Sequence, residues 1–329
     1  MQKERNRLID AAKGLGILLV VFGHSIQFNI GDFNHIAFRF IYSFHMPLFM
    51  FLSGCVAKYG DRRSVTKNIT RLLLPFLGWY VVTAFVNWGL SGHRPDFAEH
   101  FLKLIKAPDN GLWFLWILYW CHVSFYLMAL AQRFTGILGA VIVFFLIEYM
   151  PGGWLAIPLL RLHFVYFLLG FLAMRYRQPI EQHRNILMPL AALVYFILFP
   201  YWQFADIDLI SGVIAKAPTF FTDYKDQVIK FYRYLTGISG IATMIALVWY
   251  AMKAKPVEWL LTKLGQYTLD IYVSHQFFLG WNFGSALVIR IVTTLIDALA
   301  VSLGLAVILK RIPVFRTVLY GVTEEKKAA

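Results

Sequence analysis

The chain has 329 residues, of which 59% are hydrophobic and 15% charged, with a mean hydropathy of +0.61. A soluble chain would carry about a quarter charged residues, so this composition excludes an ordinary soluble domain. The net charge of +13 does not indicate nucleic acid as a partner, because the basic residues gather at one end of alternate apolar segments rather than on one face. Two cysteines, Cys55 and Cys121, both within apolar runs, give no disulfide framework and no metal-ligand spacing, so no metal is expected.

The apolar runs lie near 11–30, 38–58, 69–90, 111–132, 136–150, 155–176, 186–203, 232–252, 264–283 and 285–309. Most approach the ~20 residues a helix needs to cross the hydrocarbon core. They predict an all-α polytopic membrane bundle of about ten spanning helices. The fifth run is short and the last two are nearly continuous, which leaves nine or eleven open. Met1–Arg7 is polar and basic, and the first run continues past Val20–Val21 without a small-residue cleavage site. The first helix is therefore expected to stay in the mature protein. No repeat and no appended soluble domain is read, so residues 1–329 are expected to form one integral membrane domain.

Orientation follows from Lys and Arg in the short connections. With the N-terminus inside, 21 basic residues fall on the cytoplasmic side and 8 outside, and Arg161 and Arg290 lie within or beside helices. Both termini are thus expected in the cytoplasm. The two longest polar stretches, 91–110 and 204–231, fall outside. Each mixes aromatic and charged residues, as a lid, an acceptor-binding rim or a plain solvated loop would.

Ionisable groups at membrane depth are costly and usually face an internal cavity. Lys13 and His24 in the first helix are eleven residues apart, which puts them within ~20° on one face and ~16 Å apart along the axis. Gly14, Gly16 and Gly23 keep that helix slim enough for close approach. In the second run, Pro47 of Phe44-His45-Met46-Pro47 cannot donate to the Ser43 carbonyl, so a kink beside His45 is expected. Counted from the inner ends of their runs, His24 and His45 reach similar depth, ~20 Å up, which suggests a shared polar chamber. Arg161, His163, His122, Asp270 and His275 are further intramembrane candidates. A lone histidine in a bundle is more often a hydrogen-bonded core residue, and Arg161 reads equally as a site residue or an interfacial anchor. The Trp113–Trp116 cluster reads as an aromatic belt.

Two blocks carry a resemblance. Asp10-Ala-Ala-Lys13-Gly-Leu-Gly-Ile-Leu-Leu-Val-Val-Phe-Gly-His24 and Ser43-Phe-His45-Met-Pro47-Leu-Phe-Met-Phe-Leu-Ser53-Gly54 resemble the membrane acyltransferase-3 family, nearest its stand-alone, fucose 4-O-acetylase-like branch. The basic-x10-His spacing of its first helix is Lys13 and His24. Arg71-Leu-Leu-Leu-Pro75-Phe, Leu112-Trp113-Phe114-Leu115 and Leu264-Gly265-Gln-Tyr267-Thr-Leu-Asp270-Ile-Tyr272-Val-Ser-His275 agree in order. In place of the family's Arg-x-x-Arg the chain has Asn68-Ile-Thr-Arg71, with Lys67 as the substitute base, and Asp270 stands where a small residue is expected.

The resemblance implies an O-acyltransferase of the bacterial cytoplasmic membrane that moves an acyl group, usually acetyl from acetyl-CoA, to a glycan or lipid-linked glycan hydroxyl. Lys13, Lys67 and Arg71 would hold the CoA phosphates. His24 would act as general base, which suits an imidazole whose ordinary pKa is near neutrality, and His45 or Arg161 would stabilise the oxyanion. A relay in which His24 is briefly acylated is the alternative chemistry. A glycan or small-molecule exporter is the alternative class, set back by the missing inverted repeat.

Overall fold

The computed structural model describes residues 6–92, 96–106, 108, 112–203, 224–281 and 283–323. The polar stretch expected at 204–231 lies outside these up to residue 223, as does part of 91–110. All regular structure among the described residues is helical. The chain is a polytopic membrane protein, and among the described residues eight helical stretches are long and apolar enough to cross a bilayer. They are Arg7–Ile30, Ile36–Val56, Arg62–Ser91, Trp113–Thr135, Ile157–Arg175, Arg184–Tyr201, Lys225–Ala251 and Leu287–Leu309.

Two of the ten expected runs differ. The run at 136–150 forms a helix of only 13 residues, Ile137–Tyr149, short of the ~17–25 that span a membrane. The run at 264–283 is broken into three pieces: Lys255–Gln266, Thr268–Ser274 and a 3-10 turn at His275–Phe278. Hydropathy sums over a window and does not register such breaks.

Packing divides the chain into two compact units. One comprises residues up to Leu52, Leu172–Thr268 and Phe277–Leu299; the other comprises Ser53–Phe171, Leu269–Gln276 and the chain from Ala300. In the first, α1 (Arg7–Ile30) starts at Asn6, whose side chain accepts from the backbone N–H groups of Leu8 and Ile9. It ends at Gly31 in the left-handed conformation, a common helix stop. Against α1 packs the Lys255–Gln266 helix. Gly14 lies against the Leu261 carbonyl and Gly265 against the Asp10 carbonyl, so neither position has room for a Cβ. Two backbones in direct contact through small residues are a membrane-helix packing device.

The second span is interrupted as expected: α2 (Ile36–Tyr42) ends and α3 (His45–Val56) begins across Ser43–Phe44. Ser43 Oγ donates to the Phe40 carbonyl at 2.8 Å and pairs with Tyr195 Oη at 2.9 Å. Phe44, Tyr195, Phe199 and Met244 close a buried cluster around the break.

In the second unit, α4 (Arg62–Asn68) runs through a π-turn, Ile69–Leu73, into α5 (Leu74–Ser91). Leu74 N bonds the Ile69 carbonyl, a five-residue spacing, just before Pro75. Pro75 has no N–H to offer, and the wider turn accommodates that defect. The C-terminal helix, Pro313–Tyr320, rests on α5, where Trp79 Nε1 donates to the Leu319 carbonyl at 2.8 Å. Gly321 follows at φ 65°, and a Cβ there would stand 2.7 Å from Arg71 Cα.

Candidate functional site

His24 sits on the last third of α1, half-buried. Its Nδ1 lies 3.3 Å from Gln27 Oε1, one turn on, and 3.2 Å from Tyr42 Oη at the end of α2. Tyr42 Oη also donates to Gln27 Oε1 at 3.2 Å. Hydrogen positions follow from satisfying the network. With Nδ1–H and Tyr42 O–H both directed at Gln27 Oε1, the imidazole and the hydroxyl each have an acceptor, and His24 Nε2 carries the lone pair.

The helix break places Tyr42 between the two histidines. Its ring meets His24 edge-on at 6.1 Å between centroids and His45 at 4.5 Å, and it stacks on Phe38 at 3.8 Å. His45 is buried, and its Nδ1 lies 2.9 Å from the Ile41 carbonyl. A carbonyl can only accept, so neutral His45 holds its proton on Nδ1 and presents Nε2 as an acceptor. His24 and His45 are thus linked through the Tyr42 ring. Gly23 makes this sterically feasible, since a Cβ there would lie 3.0 Å from the Tyr42 ring. Gly16 likewise faces the Phe49 ring. Lys13 is half-buried on the same helix, toward its N-terminal end.

Sequence reasoning passed over Tyr42 and Gln27. Gln27 carried a signal, being an amide three residues after His24 on the same face. Tyr42 had none without the break that turns it inward.

The remaining candidates belong to the second unit. Lys67 and Arg71 are exposed, at the end of α4 and within the π-turn. The Arg161 guanidinium donates to the Met150 carbonyl, which ties it to the connection preceding its own helix, Ile157–Arg175. His163 is buried and stacked on Trp113 at 5.1 Å, and His122 packs edge-on against Phe167. His275 directs Nδ1 at the Ile271 and Tyr272 carbonyls. Asp270 is paired with Lys310 Nζ at 2.5 and 2.6 Å to its two oxygens. The carboxylate thus serves a lysine forty residues on, and the sequence offered no hint of that partner. Among the described residues no group of three or more metal-ligating side chains gathers.

The sequence profile of the family described as "Acyltransferase domain" matches residues 6–311. The chain belongs to the acyltransferase-3 family. Among curated proteins, this acyltransferase-family chain is 32% identical over 206 residues to Nodulation protein NolL of Sinorhizobium fredii, covering 58% of this chain and 54% of that one. It is 28% identical over 219 residues to Nodulation protein NolL of Mesorhizobium japonicum, covering 60% and 57%. The match thus spans a little over half the length of these relatives. No solved structure matches the chain.

Proposed function

We propose that the protein is a membrane O-acyltransferase that moves an acetyl group from acetyl-CoA to a hydroxyl of a cell-surface or exported glycan, with His24 as general base. The observation that carries this reading is the His24–Gln27–Tyr42 network in a chain of an acyltransferase family. A neutral imidazole oriented through Nδ1, with Nε2 as base, is the arrangement a hydroxyl nucleophile requires.

The acceptor oxygen attacks the thioester carbonyl carbon while Nε2 takes its proton. A C–O bond forms and the carbonyl oxygen becomes an oxyanion. Collapse breaks the C–S bond, and the CoA thiolate recovers the proton from the imidazolium. His45 can donate to the oxyanion only when protonated, since its Nδ1 is already engaged with the Ile41 carbonyl. Arg161 is the second candidate for that role. Lys13, Lys67 and Arg71 fall on the side that the 21-to-8 asymmetry of basic residues makes cytoplasmic. We assign them to the CoA phosphates, with both chain ends in the cytoplasm of a bacterial inner-membrane protein.

The test compares wild type with His24→Ala in a host lacking the gene, at matched levels of folded protein, by mass spectrometry of surface-glycan acetyl groups. Acetylation that depends on His24 is expected. Loss of a general base lowers the rate by about 10²–10⁴-fold. Normal acetylation by His24→Ala would remove the assignment, and absence of acetyl-CoA turnover by the purified wild type would remove the transferase reading.

A further inference from the structure

Helix α5 has two distinct faces along its length. Leu77, Val81, Phe85 and Trp88 are exposed, between 39% and 51%, as suits a lipid-facing stripe. A second stripe, about 100° around the helix, runs Phe76, Tyr80, Thr83 and Asn87 at spacings of four, three and four residues, with Ala84 beside Thr83. It lines a cavity of about 290 Å³. Polar side chains inside an apolar span mark an internal chamber rather than a lipid surface, and three of these five are polar.

The cavity is partly roofed and opens beside Asn87, which is exposed. Leu104 of α6 (Phe97–Lys106) is buried over it, while Phe101 and Leu102 on the same helix remain exposed. The roof is stitched down by the connection before the Ile157–Arg175 helix. Leu155 N donates to the Ile105 carbonyl, and Trp116 Nε1 donates to the Leu155 carbonyl, both at 3.0 Å. Leu155 and Ala156 hold φ of 57° and 53°. Non-glycine residues adopt that region at a cost of order 1–3 kcal/mol each, and such strain clusters at ligand clamps.

We infer that this cavity binds one uncharged sugar ring of the acceptor, seated on the Phe76 and Tyr80 rings and hydrogen-bonded by Thr83 and Asn87. The inference rests on the acyl-transfer reading for the word acceptor, but not for the site. Its volume sits at the bottom of the ~300–1,000 Å³ range of small-ligand sites, so it takes one ring and not a chain of sugars. A pyranose has a C–H face for the aromatic side chains and a hydroxyl edge for the amide and hydroxyl groups. The Thr83 hydroxyl donates to the Trp79 carbonyl at 2.8 Å and keeps its lone pairs for a ligand O–H, while an acyl chain would cover the exposed Asn87 amide without offering it a hydrogen bond. A uronate or phosphate would find no cationic partner among the described lining residues, at a larger penalty. By the same charge asymmetry that sets the orientation, Asn87 lies at the non-cytoplasmic end, the side from which an exported glycan arrives.

The test is saturation-transfer NMR on the full chain in detergent, with methyl α-D-glucopyranoside and methyl α-D-galactopyranoside as probes and a methyl glucuronide as the charged comparison. Wild type is expected to contact a neutral glycoside and not the glucuronide. Thr83→Val/Asn87→Leu is expected to weaken that contact by about tenfold, the loss of one or two neutral hydrogen bonds. Ala84→Trp, which fills the cavity, is expected to abolish it, with both variants melting as wild type. Equal binding by the variants, or equal binding of the glucuronide, overturns the inference. So does a phospholipid seen by native mass spectrometry to occupy wild type and to be expelled by Ala84→Trp. Glycoside binding without acetyl-CoA turnover would count against the transferase reading and leave this site standing. Turnover with no glycoside contact at the cavity would do the reverse.

Discussion

Gln27→Leu and Tyr42→Phe separate the two ways of orienting His24. In the network described above, Nδ1–H is held by Gln27 Oε1 at 3.3 Å, while Tyr42 Oη is a second donor to the same oxygen at 3.2 Å. Gln27→Leu removes the acceptor of the base. One neutral hydrogen bond contributes about 0.5–1.5 kcal/mol net, so the rate should fall by roughly 2- to 13-fold. Tyr42→Phe keeps the stack on Phe38 and the edge contacts to both imidazoles, and it leaves the His24–Gln27 bond in place. Its effect should be the smaller of the two. Both should fall far short of His24→Ala. The double variant should cost less than the product of the singles, because the two side chains share one oxygen. The assay is kcat and KM for acetyl-CoA turnover by purified protein of matched melting temperature. If Tyr42→Phe proves more damaging than Gln27→Leu, Nδ1 accepts from tyrosine, and the base assignment to Nε2 fails with it.

Other expectations follow from single contacts. Gly14→Val or Gly265→Val sets a side chain against a carbonyl of the facing helix. Overpacking typically costs about 1–3 kcal/mol, and here backbone cannot yield as a side chain would, so loss of monodisperse protein on size exclusion is expected. Lys310→Met strands the buried Asp270 carboxylate, a loss on the order of 3–5 kcal/mol. Asp270→Asn/Lys310→Met should melt higher than Lys310→Met alone, and the reverse order would deny the pair any structural role. Arg71→Ala should raise KM for acetyl-CoA by at least about tenfold, the value of one charge-assisted hydrogen bond, with kcat little changed. An unchanged KM would remove Arg71 from the donor site. Asp61→Cys, beside Arg62 and Arg63 in a Cys55→Ser/Cys121→Ser background, should be labelled only by a maleimide that has reached the cytoplasm, and labelling of intact cells by an impermeant maleimide would overturn the orientation.

Much of this was legible in residue order because its causes are local. The long spans need only length and apolarity, and the kink beside His45 needs only Pro47. The depth match of His24 and His45 is an arithmetic of helix rise, and it brought both to one tyrosine. What stayed hidden depends on partners far along the chain or on where helices stop. Nothing near Asp270 announces Lys310, and nothing near Ser43 announces Tyr195. The run at 264–283 looked continuous because its apolar content is continuous, while its backbone turns at Tyr267 and tightens at His275. Arg161 was legible as an oddity, but the Met150 carbonyl it holds is an accident of loop geometry that spacing does not encode.

The π-turn at Ile69–Leu73 amounts to one surplus residue wound into an otherwise regular span. The helix before it and the helix after it are therefore out of phase by about 100°, the angle one residue subtends. Deleting a single residue there would heal the helix and shorten it by only ~1.5 Å, a change a bilayer hardly notices. Yet it would swing Lys67 and the basic end around the axis relative to the stripe from Phe76 to Asn87. Any pairwise alignment that closes this turn as a gap would preserve the hydropathy profile and misassign every face on one side of it.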